Sequence, residues 1–161
     1  MLNNLKIRHA SIKDSNTILS FIKKIAKYEN LDNEVIANID TVEEFIFKKH
    51  FAQAIIGEMF NMPIAFAVYF YTFSTFTGKP TLYIEDIYVD EEYRQNGVGS
   101  KIFKYLVNLA IKEGCGRLEL AVLKWNEPAI KFYKKMGGHC LEEWEIFRFN
   151  EETLKQIIKD D

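Results

Sequence analysis

A chain of 161 residues is long enough to bury one core and too short for two comfortable ones, so a single domain over residues 1–161 is expected. With 48% hydrophobic residues, 27% charged residues and three prolines, the composition excludes disordered, collagen-like and disulfide-dense classes. The 21 basic and 23 acidic residues leave a formal charge of −2, which offers no footprint for nucleic acid or an anionic membrane and suits a small cation better.

Residues 6–9 read as a short strand. Ser11 and Asp14 are start signals for a helix that places Ile18, Leu19, Ile22, Ile25 and Ala26 on one face and ends near Tyr28. Residues 29–40 are polar and aperiodic, as in a surface loop. Thr41 and Glu44 have the spacing of a capping box, predicting a second short helix to about His50. Three strands follow at 54–59, 64–73 and 81–89, separated by turn signals at Asn61-Met62-Pro63 and Thr77-Gly78-Lys79-Pro80, which makes an antiparallel meander.

Helical spacing returns over residues 99–113 through Ile102, Phe103, Leu106, Leu109 and Ala110, with Gly114 suited to the left-handed residue beyond the helix end. Residues 117–123 read as a strand, Asn126 caps a further helix with Pro128 in its first turn and Gly137 at its end, and residues 144–149 are a final strand candidate. The order predicts an α+β domain with a mixed sheet and helices on both faces. The first eight residues lack the apolar run of a secretory signal, and the longest apolar stretch, 62–73, is shorter than a membrane span, so a cytoplasmic chain is expected. Cys115 and Cys140 lack the close pairing of a zinc or redox motif and read as buried free thiols.

Chemistry concentrates in Tyr83-Ile84-Glu85-Asp86-Ile87-Tyr88-Val89 followed by Arg94-Gln95-Asn96-Gly97-Val98-Gly99-Ser100, a strand that turns into a glycine-opened helix. Glycines let the main chain approach phosphates closely, and the amides and dipole of a helix N-terminus favour negative charge. The same residues are also compatible with a plain tight turn. The spacing is neither Gly-x-Gly-x-x-Gly nor a Walker loop, which counts against dinucleotide and ATP binding.

In these residues the chain resembles the GNAT superfamily of acetyl-CoA-dependent N-acetyltransferases, through Arg94, Gly97 and Gly99. It is most similar to the diamine branch, which includes spermidine/spermine and thialysine acetyltransferases. Lys27-Tyr28-Glu29, Leu82-Tyr83-Ile84-Glu85-Asp86, Tyr93-Arg94, Gly97-Val98-Gly99-Ser100, Trp125-Asn126-Glu127-Pro128 and Phe132-Tyr133-Lys134 carry that similarity, in order, over residues 7–149.

The resemblance implies a GNAT fold and direct transfer of acetyl from acetyl-CoA to a bound amine, with no metal. It implies that Ile87, Tyr88 and Val89 bind the pantetheine arm and polarise the thioester, while Arg94 to Ser100 and Asn126 hold the rest of the CoA. Glu85 is implied as the base acting through water, Asp86 as shaping the acceptor site, and Tyr133 as the proton donor to the departing thiolate beside the CoA sulfur. Relatives being commonly homodimers, a homodimer is expected.

An amine of pKa ~10.4 is free base in roughly one of a few thousand molecules at neutral pH, so the reaction needs a proton acceptor at the site. Because neighbours on a strand alternate sides, Glu85 and Asp86 are expected on opposite faces. Tyr28, Glu29, Glu142 and Glu143 are candidates for a cationic acceptor, since carboxylates pair with ammonium groups and aromatic faces attract cations. Ser74-Thr75-Phe76 stands where the polyamine enzymes carry Asp-Pro-Trp, so a small amino acid-like acceptor is as plausible as a polyamine or diamine. Two alternatives are acetylation of a protein or peptide amine, and a CoA-binding regulatory module without turnover.

Overall fold

The computed structural model describes residues 4–159. It divides into two compact units, one running to Ala121 and the other beginning at Val122.

The first unit is built on a five-stranded sheet, β1 (Leu5–His9), β2 (Gln53–Met59), β3 (Met62–Ser74), β4 (Lys79–Val89) and β5 (Arg117–Leu120), in that spatial order. The first four strands form the expected antiparallel meander, and β5 joins β4 in parallel. The crossover that a parallel neighbour requires is the helix α3 (Val98–Lys112). This mixed sheet with its helices is the α+β arrangement that the element order predicts.

Alternation along the strands sorts side chains between two layers. Ala54, Ile56, Phe66, Val68 and Tyr88 form one cluster with Ile18 and Phe21 of the helix α1 (Ser15–Glu29), where the Phe21 and Phe66 rings stack at 5.0 Å. The residues between them in sequence meet α3. Gly57 lies so close to it that an added Cβ would come within 3.0 Å of Ile102 Cδ1, so glycine here permits the close approach of helix and sheet.

Ser11 and Asp14 bracket a 3-10 turn, Ile12–Asp14, before α1 begins. The Asp14 carboxylate accepts from Ser11 N at 2.7 Å and from both Arg8 terminal nitrogens at 2.9 and 2.8 Å, while Arg8 Nε donates to Glu58 at 2.9 Å. One guanidinium thus ties β1, β2 and the entry to α1.

The second helix corrects the capping-box expectation. It starts at α2 (Ile39–Val42), where Asn38 Oδ1 accepts from Thr41 N and Thr41 Oγ1 accepts from Asn38 N, each at 2.9 Å. Thr41 therefore closes the box from the third helical position, and the chain continues in a wider π-helical turn, Glu43–Lys48.

In the second unit α4 (Glu127–Lys135) begins as expected, with Asn126 Oδ1 accepting from Ala129 N at 3.3 Å and Gly137 in the left-handed region at φ 95°. The strand expected over 144–149 is not formed. Its aromatic and polar alternation has no ladder partner among the described residues, leaving Trp144, Ile146 and Phe147 at 70, 81 and 80% exposure, and a helix α5 (Glu151–Lys159) follows instead. Both cysteines are free thiols, but Cys140 is exposed and Cys115 only half-buried, against the expectation of burial. No described helix is long and apolar enough to cross a membrane.

Candidate active site

The carboxyl half of β4 departs from regular alternation. Val68 pairs with Asp86 while the next residue, Tyr69, pairs with Ile84, so Glu85 is an extra residue bulged out of the ladder. Simple alternation would keep Ile84 and Asp86 on one face. Asp86 stays opposite Val68 and in phase with Tyr88 on the α1 side, while the bulge shifts Ile84 into phase with the α3 side.

Glu85 stays exposed and Asp86 is half-buried. Burial pushes the Asp86 carboxyl up to about 6, with the negative charges of Glu85 and then Glu29 adding to the effect. Burial also raises the Glu29 carboxyl, at the last position of α1. Three sequence-predicted residues thus share one electrostatic neighbourhood. A carboxyl near 6 is still mostly ionised at neutral pH yet able to hold a proton, the property a general base requires.

Beyond β4 the chain passes through a 3-10 turn, Glu91–Tyr93, and reverses through left-handed residues at Gln95 (φ 61°) and Gly97 (φ 80°) before α3. Such backbone strongly favours glycine at Gly97 and is less usual at Gln95. The first bond closing the helix runs from Lys101 N to Gly97 O at 3.1 Å, so the amides of Val98, Gly99 and Ser100 precede the intrahelical ladder. Among the described residues no side chain caps this end and no acidic residue occupies its first turn. At Gly99 an added Cβ would meet only Val89 Cγ2, at an ordinary 3.8 Å. Protein packing therefore does not demand glycine at that position, and the space above it is a cradle that a side chain would fill.

Arg94 is held before it meets any ligand. Its Nε donates to Val89 O at 2.9 Å, and its guanidinium carbon lies 4.8 Å from the Tyr28 ring centroid and 5.0 Å from that of Tyr88. Asn96 Nδ2 donates to Arg94 O at 3.0 Å and steadies the turn. Beside this stack a cavity of about 550 Å³ is lined by Lys24, Lys27, Tyr28, Tyr88, Asp90, Glu91 and Glu92, with Lys24 paired to Asp90 at 2.7 Å.

The second unit carries the remaining candidates. Asn126 is buried at the α4 cap, and burial pushes the Tyr133 hydroxyl up to about 12, so it is protonated at neutral pH. Glu142 and Glu143 are exposed in a segment without helix or strand.

The structure thus brings Glu29, Glu85 and Asp86 together, and separately joins Tyr28, Tyr88, Val89 and Arg94. Tyr28, expected as an acceptor contact, has its ring centroid 4.8 Å from the Arg94 guanidinium carbon. Neither the bulge nor that clasp has a sequence signal, because both depend on strand register and on which helix end lies beside β4. Among the described residues no group of three or more His, Cys, Asp or Glu side chains is arranged to hold a metal ion.

The model of the acetyltransferase (GNAT) family matches residues 22–138. The chain is 34% identical to the thialysine N-epsilon-acetyltransferase of Sus scrofa, the match covering 94% of this chain and 95% of that protein. It is 32% identical to spermidine/spermine N(1)-acetyltransferase-like protein 1 of Homo sapiens, over 95% of this chain but 24% of that longer protein. Among solved structures, an integron cassette protein from the mobile metagenome of V. cholerae superposes with a TM-score of 0.81 at 22% identity, covering 97% of this chain and 98% of the other.

Proposed function

The chain belongs to the GNAT acetyltransferase family, and from that premise we propose that it transfers acetyl from acetyl-CoA directly to a primary amine of a small diamine, polyamine or thialysine-like amino acid. The observation that carries this reading is the end of β4, where a bulged carboxylate pair and an anion-ready helix start stand at successive points of the same chain segment. Full-length similarity to a thialysine acetyltransferase supports the acceptor class.

The residues present suit the donor. The amides of Val98, Gly99 and Ser100 and the guanidinium of Arg94 hold the pyrophosphate, the space above Gly99 admits it, and Gln95 and Asn96 complete the turn around it. Main-chain groups of Ile87, Tyr88 and Val89 hold the pantetheine arm, and an amide at the thioester oxygen stabilises the developing oxyanion. When bound, acetyl-CoA supplies the activated acyl group.

Every further step belongs to the chain. Asp86 accepts the ammonium proton, its raised affinity for protons matched to neutral pH, while Glu85 on the exposed bulge relays it through water. Glu29 attracts the cationic acceptor. In the second unit, Asn126 contacts CoA and Tyr133 returns a proton to the leaving thiolate, roles supported by the family resemblance and by the protonated state of Tyr133. Glu142 and Glu143 are kept as acceptor contacts on charge alone. We extend the reading to one acetyltransferase domain, to a cytoplasmic homodimer, and to a reaction without metal, nucleic acid or membrane, the last two supported by the net charge of −2.

The test is incubation with acetyl-CoA and a panel of thialysine, lysine, ornithine, polyamines and peptides, read by product mass. A product 42 Da heavier on the small amines is expected, by the arithmetic of replacing a hydrogen with an acetyl group. Acetylation confined to peptides supports the protein-acetylating alternative, and no product with intact CoA binding supports a regulatory module.

A further inference from the structure

The sequence groups Tyr28 with Glu29 as an acceptor contact, but the geometry assigns it to the opposite substrate. We infer that Tyr28 is a positioning residue for the donor: with Tyr88 it supports the guanidinium of Arg94, so that Arg94 meets the donor's phosphates already oriented. This inference rests on the acetyl-CoA reading of the β4–α3 loop and deepens it.

The argument starts from the donor count of an arginine, five N–H groups in a rigid plane. Nε is committed to Val89 O at 2.9 Å, which fixes the near end of the plane to the strand expected to bind pantetheine. The guanidinium carbon lies over the Tyr28 and Tyr88 rings, 4.8 and 5.0 Å from their centroids. What remains is the terminal fork of nitrogens. Among the described residues it makes no hydrogen bond, and its nearest carboxylate, Glu91, stands off at 3.9 Å on a side chain that is 74% exposed.

Two features make the support rigid. Tyr88 is 8% exposed and belongs to the buried cluster, with Phe21 at 6.1 Å and the Phe21–Phe66 stack beneath it. Tyr28 lies in the last turn of α1, packed against that same cluster. The Arg94 side chain is accordingly only 32% exposed although it leaves from an open turn. An arginine already partly stripped of water and fixed in orientation gives up less freedom when it binds an anion, so ring support is converted into donor affinity.

The test uses the whole protein with Tyr28→Leu, which keeps apolar bulk but loses the ring, and Tyr28→Phe, which keeps the ring. Acetyl-CoA affinity is measured by calorimetry, acceptor KM at saturating acetyl-CoA, and kcat/KM with S-acetylpantetheine, a donor without the pyrophosphate. Tyr28→Leu should weaken acetyl-CoA binding about five- to thirtyfold, the range of a desolvated cation–π contact. Its acceptor KM and its kcat/KM with S-acetylpantetheine should stay within about twofold of the wild type, and Tyr28→Phe should bind acetyl-CoA as the wild type does.

Unchanged acetyl-CoA affinity in Tyr28→Leu overturns the inference. So does an equal loss with both donors, which marks general damage to the fold, or a rise confined to the acceptor KM, which returns Tyr28 to the acceptor. Absence of acetyl-CoA binding by the wild type is a different failure, because it removes the donor reading itself.

Discussion

Replacing Asp86 by Asn should make the protein more stable and nearly inactive at the same time. The folded structure holds this carboxyl up to about 6 against an ordinary value of 3.8, chiefly by burial. Between those values the folded state binds more protons than the unfolded state, so stability falls as pH rises through that window. A shift from 3.8 to about 6 corresponds to an upper bound of about 3 kcal/mol of folding free energy forgone at neutral pH. Asparagine keeps the shape without the charge. The variant should gain about 1–3 kcal/mol above pH 7, or roughly 2–10 °C in Tm for a chain of this size. Near pH 4, where the wild-type carboxyl is itself largely protonated in the folded state, the two Tm values should converge. Activity should fall by about a hundredfold or more, and the wild-type kcat/KM should decline below about pH 6 as the base is protonated. Thermal melts from pH 4 to 8, run beside pH–rate profiles, make both comparisons. A variant less stable at pH 8 than the wild type, or one retaining full activity, refutes the reasoning.

At Tyr133 the change to Phe should lower kcat about ten- to a hundredfold with acetyl-CoA affinity and Tm nearly unchanged, because one proton donor is removed and the ring retained; a lowered Tm with normal kcat contradicts the role. Asp14 gives the opposite pH behaviour to Asp86. Arg8 holds its carboxyl down at about 2 against an ordinary 3.8, so its stabilisation is present above pH 4 and lost as pH falls through 2. Asp14→Asn should therefore cost about 2 kcal/mol at pH 7 by denaturant unfolding, with the difference shrinking towards pH 2.

Much of the fold was legible because its signals are local. The meander followed from apolar runs and turn residues, α3 from its apolar spacing, and the helix at Asn126 from a cap followed by proline. Where partners decide, local signals failed. Thr41 has the right spacing to Glu44 for a cap, but Asn38 captured it one turn earlier. Residues 144–149 alternate like a strand, and alternation without a neighbouring edge does not make a ladder. The candidate site shows the same division. Gly97 and Gly99 are readable as residues that a tight turn and a close ligand require, whereas the bulge at Glu85 takes Ile84 out of phase with Asp86 and Tyr88 and leaves no mark in composition. The placement of Tyr28 beside Arg94 likewise arises from the packing of α1 against β4, not from anything adjacent in sequence.

The most direct test of the account is a calorimetric titration of acetyl-CoA into the wild type and Gly99→Ala, with the Tm of each measured on the same preparation. The structure gives the new methyl only an ordinary 3.8 Å contact with Val89, so Tm should stay within about 2 °C. If the space above Gly99 is where the donor's phosphates approach the α3 amides, the methyl occupies it and affinity should fall about tenfold or more. Equal affinity for acetyl-CoA in two equally stable proteins would contradict the placement of the donor at the start of α3.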